Sequence, residues 1–65
     1  RLLNQIGYVR SELNPTGSVM VKSEIWSARS EEGPISTNSL VRVIATDGLF
    51  LIVEPTNGTR TASDN

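Results

Sequence analysis

Val41-Arg42-Val43-Ile44-Ala45-Thr46-Asp47-Gly48-Leu49-Phe50-Leu51-Ile52-Val53-Glu54 is the stretch that decides the fold. Its first half alternates. Val41, Val43 and Ala45 fall on one side of an extended chain and Arg42, Ile44 and Thr46 on the other, the period of two of a half-buried strand. The second half, Leu49 to Val53, is a nearly continuous apolar run, as expected of a strand covered on both faces or lying at a closure seam. Asp47-Gly48 between them favours positive φ and is the strongest short-range hairpin signal. The segment reads as one tight hairpin, residues 41–47 paired with residues 49–54.

Upstream the same pattern repeats. Ile25, Ser27 and Arg29 alternate with Trp26, Ala28 and Ser30 in a strand over 25–30, entered by a short turn at Ser23-Glu24. Val19 and Val21 alternate with Ser18, Met20 and Lys22 in a strand over 17–22. Asn14-Pro15-Thr16-Gly17 is a turn cluster, with Pro fixing φ ahead of the free dihedral of Gly, and it leads back to a first strand over 6–13. Glu31-Glu32-Gly33-Pro34 ends the third strand. Residues 35–40 are too few and too polar for more than one turn, of 3₁₀ type at most, with Asn38 suited to a left-handed conformation.

Five short strands separated by turn signals predict an all-β fold, either a sandwich or a small barrel. Closing five strands into an OB-fold-like barrel removes both exposed sheet edges, and this is the favoured reading; an SH3-like barrel is second. The expected division is a barrel domain over residues 1–55 and a disordered polar tail over residues 56–65, which has almost nothing to bury. The predicted core is Val9, Val19, Val21, Val41, Val43, Leu49, Leu51 and Val53, with Ile35 plugging one end.

Composition narrows the chemistry. The 65 residues include no cysteine and no histidine, which leaves no disulfide, no thiolate metal site and no near-neutral base. Six basic residues face seven acidic ones, and the two signs are interspersed, so the basic excess of a phosphate-binding surface is missing. No apolar run reaches the roughly 18 residues of a membrane span, and the opening Arg1-Leu2-Leu3-Asn4-Gln5 does not read as a signal peptide. The chain is expected to be soluble, any anchor belonging to a longer parent.

The individual chemical signals are weak. Lys22, the only lysine, adjoins Ser23, but neighbours on a strand point to opposite sides, which argues against a Ser–Lys dyad. Glu31-Glu32 reads as a solvated turn, not as two carboxylates converging on a cleft. Met20-Val21-Lys22 has too little chain before it for a biotinyl or lipoyl carrier, and Asn57-Gly58-Thr59 has glycosylation spacing inside a tail. No catalytic residue, metal ligand or cofactor is expected.

One set of residues carries a family likeness. Gly7 is followed by Leu13-Asn14-Pro15-Thr16-Gly17, by Val19 and Val21, and by Glu24, Trp26 and Ala28. Gly33-Pro34-Ile35, Val41-Arg42-Val43, Asp47-Gly48-Leu49 and Val53-Glu54-Pro55 complete the series. In this order and spacing, the segment from Gly7 to Pro55 resembles the C-terminal soluble domain of NfeD-like proteins. The family often has glycine where Ser23 and Asn38 stand; Asn38 keeps a left-handed turn, whereas Ser23 requires ordinary dihedrals there. The resemblance implies an OB-fold barrel on a membrane-anchored parent, on the cytoplasmic side. It also implies partnership with stomatin-, prohibitin- or flotillin-type scaffold proteins; self-association is a second expectation for a docking module. Some long relatives carry a serine-protease domain ahead of their membrane segments, and that domain is not in this chain.

Function is therefore expected to be docking without catalysis. If Leu49, Leu51 and Val53 face inward, Phe50 and Ile52 face outward and, joined by Ile44 or Ile25, form an apolar docking patch. The competing arrangement packs them under the 35–40 loop or under Leu2-Leu3. The alternative function is weak binding of single-stranded nucleic acid, with Tyr8 and Trp26 stacking on bases; the same two rings are equally suited to capping a barrel end.

Overall fold

The computed structural model describes residues 2–56. Strands β1 (Ile6–Ser11), β2 (Thr16–Val21), β3 (Glu24–Ser30), β4 (Leu40–Asp47) and β5 (Phe50–Pro55) form a closed barrel in the order β1-β2-β3-β5-β4. All neighbouring pairs are antiparallel except β3–β5, and the β1–β4 pairing closes the barrel. This is the five-stranded OB-type barrel that the spacing of strands and turns predicts. Of the expected polar tail, residues 57–65 lie outside the described residues, while the Thr56 amide donates to the Leu40 carbonyl oxygen at 3.0 Å.

Alternation builds the interior. Register places Val9, Val19 and Trp26 side by side, then Gly17, Ala28 and Leu51, then Ser30, Val53 and Val43. The buried cluster holds Val9, Leu13, Val19, Val21, Ala28, Ile35, Val41, Val43, Leu51 and Val53, with Leu2 and Trp26 packed against it. Leu13 and Ile35 exchange backbone hydrogen bonds of 3.0 and 2.9 Å, tying the chain after β1 to the loop before β4. Ser30 is buried but satisfied: its hydroxyl donates to the Gly33 carbonyl at 2.6 Å and accepts from the Glu32 amide at 3.3 Å.

One expected core residue moves out. Leu49 is 88% exposed. Asp47 pairs with Phe50, so the two turn residues are Gly48 and Leu49, and β5 begins one position later than the apolar run suggests. Gly48 sits at φ 64 in first turn position, where it supplies the twist of a tight hairpin.

A second difference lies in β4. The register shifts between Val43 and Ala45, so that Ala45 pairs with Ile52 and joins the outer face instead of the inner one. A bulge adds one residue to one strand, and the alternation read from sequence reverses beyond it.

The two hairpin turns upstream also depart from expectation. Val21 pairs with Glu24, which makes Lys22 and Ser23 the turn residues, at φ 53 and 67. Both are left-handed, so Ser23 does not have the ordinary dihedrals expected of it. A side chain in this region costs on the order of 1 kcal/mol, and Asn-Gly is the pair that such a turn accepts most easily. Gly17 has no positive φ and belongs to β2; its freedom is not what the Pro-x-Gly turn uses. Asn38 does adopt the left-handed conformation, at φ 74, in a turn closed by the Ser39 amide on the Ser36 carbonyl at 3.2 Å.

Candidate functional site

The closed barrel has no free strand edge, so any surface it offers is made of outward side chains. Direct register partners across four strands are Leu40 on β4, Tyr8 on β1, Met20 on β2 and Ile25 on β3. They form one apolar row on the outside. Tyr8 is 39% exposed and Ile25 57%, while Met20 and Leu40 are half-buried. Ile6, also exposed, stands two residues from Tyr8 on the same side of β1.

Two open depressions flank Met20 and share it. The first, about 510 Å³, lies among Ile6, Tyr8, Met20, Lys22, Ser23 and Leu40. The second, about 500 Å³, lies among Met20, Ser23, Glu24, Ile25 and Trp26. Lys22 is the charged residue of the first and Glu24 that of the second. Among the described residues the ion pairs are Arg29–Glu31 at 3.3 Å, Arg29–Asp47 at 2.8 Å and Arg42–Glu54 at 3.3 Å, so Lys22 is in none of them.

Of the residues expected to form a docking patch, Ile44, Phe50 and Ile52 fall on the paired strands β4 and β5, and Ile25 lies apart on β3. Ile25 joins the row just described. Ile44, exposed, sits at the β4 bulge. Phe50, half-buried, opens β5 opposite Asp47. Ile52 does face outward, but it is only 5% exposed, which removes it from an open patch.

An ion pair is laid across the same strand. Arg29 is the register partner of Ile52 on one side of β5, and Asp47 stands on β4 on the other side, opposite Phe50. A 2.8 Å contact between them spans β5 from one neighbouring strand to the other. The hydrogen bond to Asp47, opposed by desolvation and reinforced by Glu31, raises the pKa of the Arg29 guanidinium above its ordinary value.

The two aromatic residues of the nucleic-acid reading are also separated. Tyr8 points outward on β1, whereas Trp26 on β3 pairs with buried Val19 and packs against the core, with β2 between them. Trp26 Nε1 is buried without a hydrogen-bond partner. With β2 between them and Trp26 packed against the core, the two rings are not exposed on neighbouring strands, which corrects that expectation.

Among the described residues no group of three or more His, Cys, Asp or Glu is gathered that could hold a metal ion, and no helix is long and apolar enough to cross a membrane.

Barrels of this five-stranded OB type commonly present an outer face and loops to a ligand or partner. The profile of the NfeD-like C-terminal, partner-binding domain matches residues 1–55, and the chain belongs to that family. Over 53 residues it is 47% identical to a membrane-bound protease of Pyrococcus horikoshii, a match covering 80% of this chain and 12% of that protein. Among solved structures it is similar to the C-terminal domain of a stomatin operon partner protein from Pyrococcus horikoshii. That similarity has a TM-score of 0.82 and 45% identity, covering 85% of this chain and 88% of the other. It is also similar to the soluble domain of a Corynebacterium glutamicum membrane protein implicated in regulation of membrane protease activity. There the TM-score is 0.77 and the identity 28%, covering 83% of this chain and 90% of the other. The soluble domain of an NfeD protein from Bacillus subtilis shares the fold, with a TM-score of 0.71 at 24% identity over 80% of this chain and 70% of that one.

Proposed function

We propose that residues 1–55 are a non-enzymatic docking unit of a membrane-anchored NfeD-like protein, held on the cytoplasmic side, that binds a stomatin-, prohibitin- or flotillin-type scaffold protein. The observation that carries this reading is the apolar row Leu40–Tyr8–Met20–Ile25, which crosses four strands and on which Tyr8 and Ile25 stay exposed among the described residues. A row of this kind on a small barrel is a docking surface: a contiguous apolar patch bordered by polar residues gains by excluding water against a partner. The described region of the protease relative is its partner-binding part by family, which supports docking over catalysis for this chain.

The test is a titration of the labelled domain with the stomatin of the Pyrococcus horikoshii operon, alongside a single-stranded oligonucleotide. Tyr8→Ala combined with Met20→Ala is expected to weaken stomatin binding at least about tenfold, the scale of a central interface residue, while the amide spectrum stays dispersed. Undiminished binding by this variant would move the interface elsewhere, and salt-sensitive shifts with the oligonucleotide alone would replace the docking reading with the nucleic-acid one.

A further inference from the structure

The Lys22-Ser23 turn combines two independent features. It is strained: two consecutive residues with side chains sit at φ 53 and 67, where glycine is the natural occupant. It also borders the apolar row, since both residues line the first depression and Ser23 lines the second as well. A turn with only a structural task would lose nothing by becoming Asn-Gly. Strain held in place beside a binding surface points to a task for the side chains themselves.

Charge indicates what they meet. The first depression is lined by apolar residues, Ser23 and the single cation Lys22, which has no ion pair among the described residues. It offers an ammonium group and a hydroxyl donor at one rim of an apolar floor. Resting on the docking reading above, we infer that the Lys22-Ser23 turn is a specificity element for a carboxylate. The partner segment presents apolar side chains to Tyr8, Met20 and Leu40, and an Asp or Glu at their edge accepts hydrogen bonds from Lys22 Nζ and Ser23 Oγ. Charge-assisted bonds of this type are the stronger ones, and at an interface they select the partner as well as hold it. A second copy of this chain would supply a carboxylate only by bringing Glu24 of the adjoining depression to Lys22, and concentration-dependent shifts at both residues in the domain alone would assign the turn to self-association and overturn the inference. An anionic bilayer would find Lys22 and, on the same strand as Tyr8, Arg10, fewer than the cluster of cations that holds a protein on such a surface.

The experiment pairs stability with affinity. Lys22→Asn combined with Ser23→Gly is expected to raise the thermal midpoint by about 4 °C or more, followed through the single tryptophan, Trp26. The same variant is expected to bind the Pyrococcus horikoshii stomatin about tenfold more weakly, the worth of one charge-assisted hydrogen bond, with a shallower salt dependence. Lys22→Arg, which keeps the charge, is expected to retain most of the affinity. A more stable variant that binds as tightly as the wild type would overturn the inference and leave the turn purely structural. If that result came together with loss of binding in Tyr8→Ala/Met20→Ala, the docking surface would stand and this inference alone would fall. A wild-type domain that binds no stomatin would overturn both. Salt-sensitive binding of the wild type to phosphatidylglycerol vesicles, abolished by the turn variant, would reassign the turn to a lipid surface.

Discussion

Val43→Asp is expected to abolish the folded state. Val43 has no exposed surface; it lies on β4 opposite Val53, inside a cluster that is apolar throughout. A carboxylate there has no cation within the cluster to pair with, and a buried unpaired charge costs several kcal/mol even after relaxation. A domain of this size is marginal to begin with, its whole stability being about 5 kcal/mol or less. The neighbouring position gives the contrast. Arg42 is exposed and pairs with Glu54 at 3.3 Å, a surface contact worth about 1 kcal/mol at most, so Arg42→Asp is expected to leave the barrel folded. Amide spectra of the two variants decide the matter: a collapsed spectrum for Val43→Asp and a dispersed one for Arg42→Asp. Dispersion in both would mean that the inner face of β4 has been misassigned.

That pair of adjacent residues shows which part of the fold is legible from sequence. Val41, Val43, Val19 and Val21 declare an inner face by simple alternation, because a strand's side chains have no other periodicity available. Alternation fails where the backbone leaves the regular ladder. Ala45 crosses to the outer face only because the register slips after Val43, and a bulge leaves no residue signature in Ile44-Ala45. Leu49 looks like core because it opens an apolar run, yet the turn has to contain two residues, and once Gly48 takes the first place Leu49 is the second. Leu13 and Ala28 are buried without having been marked: one lies after β1, in a bridge to Ile35, and the other is small.

The site is less legible than the fold, for a physical reason. An outward residue on one strand becomes part of a surface only through its partners on other strands, and those depend on register. Nothing local to Tyr8 says that Met20 and Leu40 stand beside it, or that Ile25 extends the row past Met20. The opposite error has the same origin. Phe50 and Ile52 face outward as alternation predicts, but Ile52 is closed off from solvent, and its register partner Arg29 joins Asp47 across β5 from 18 residues away in the chain. Orientation follows from sequence; exposure follows from neighbours.

Gly17→Ala is expected to be strongly destabilising for so small a change of side chain. A Cβ at this position would collide with the carbonyl oxygens of Glu12 and Ser11, both backbone atoms that cannot rotate away. Gly17 pairs with Ala28, which is itself fully buried, so the strands cannot separate to make room without opening the interior. Overpacking of this kind costs about 1–3 kcal/mol and more where backbone must move, a large share of a small domain's stability. Gly48→Ala separates this effect from the usual one. Gly48 has open space around its α-carbon but sits at φ 64, so its substitution meets backbone strain alone, about 1 kcal/mol. Thermal denaturation followed by Trp26 fluorescence is expected to rank the wild type first, Gly48→Ala next and Gly17→Ala last. If the two variants change places, the hairpin turn, and not the crossing of β2 over the chain after β1, limits the stability of the barrel.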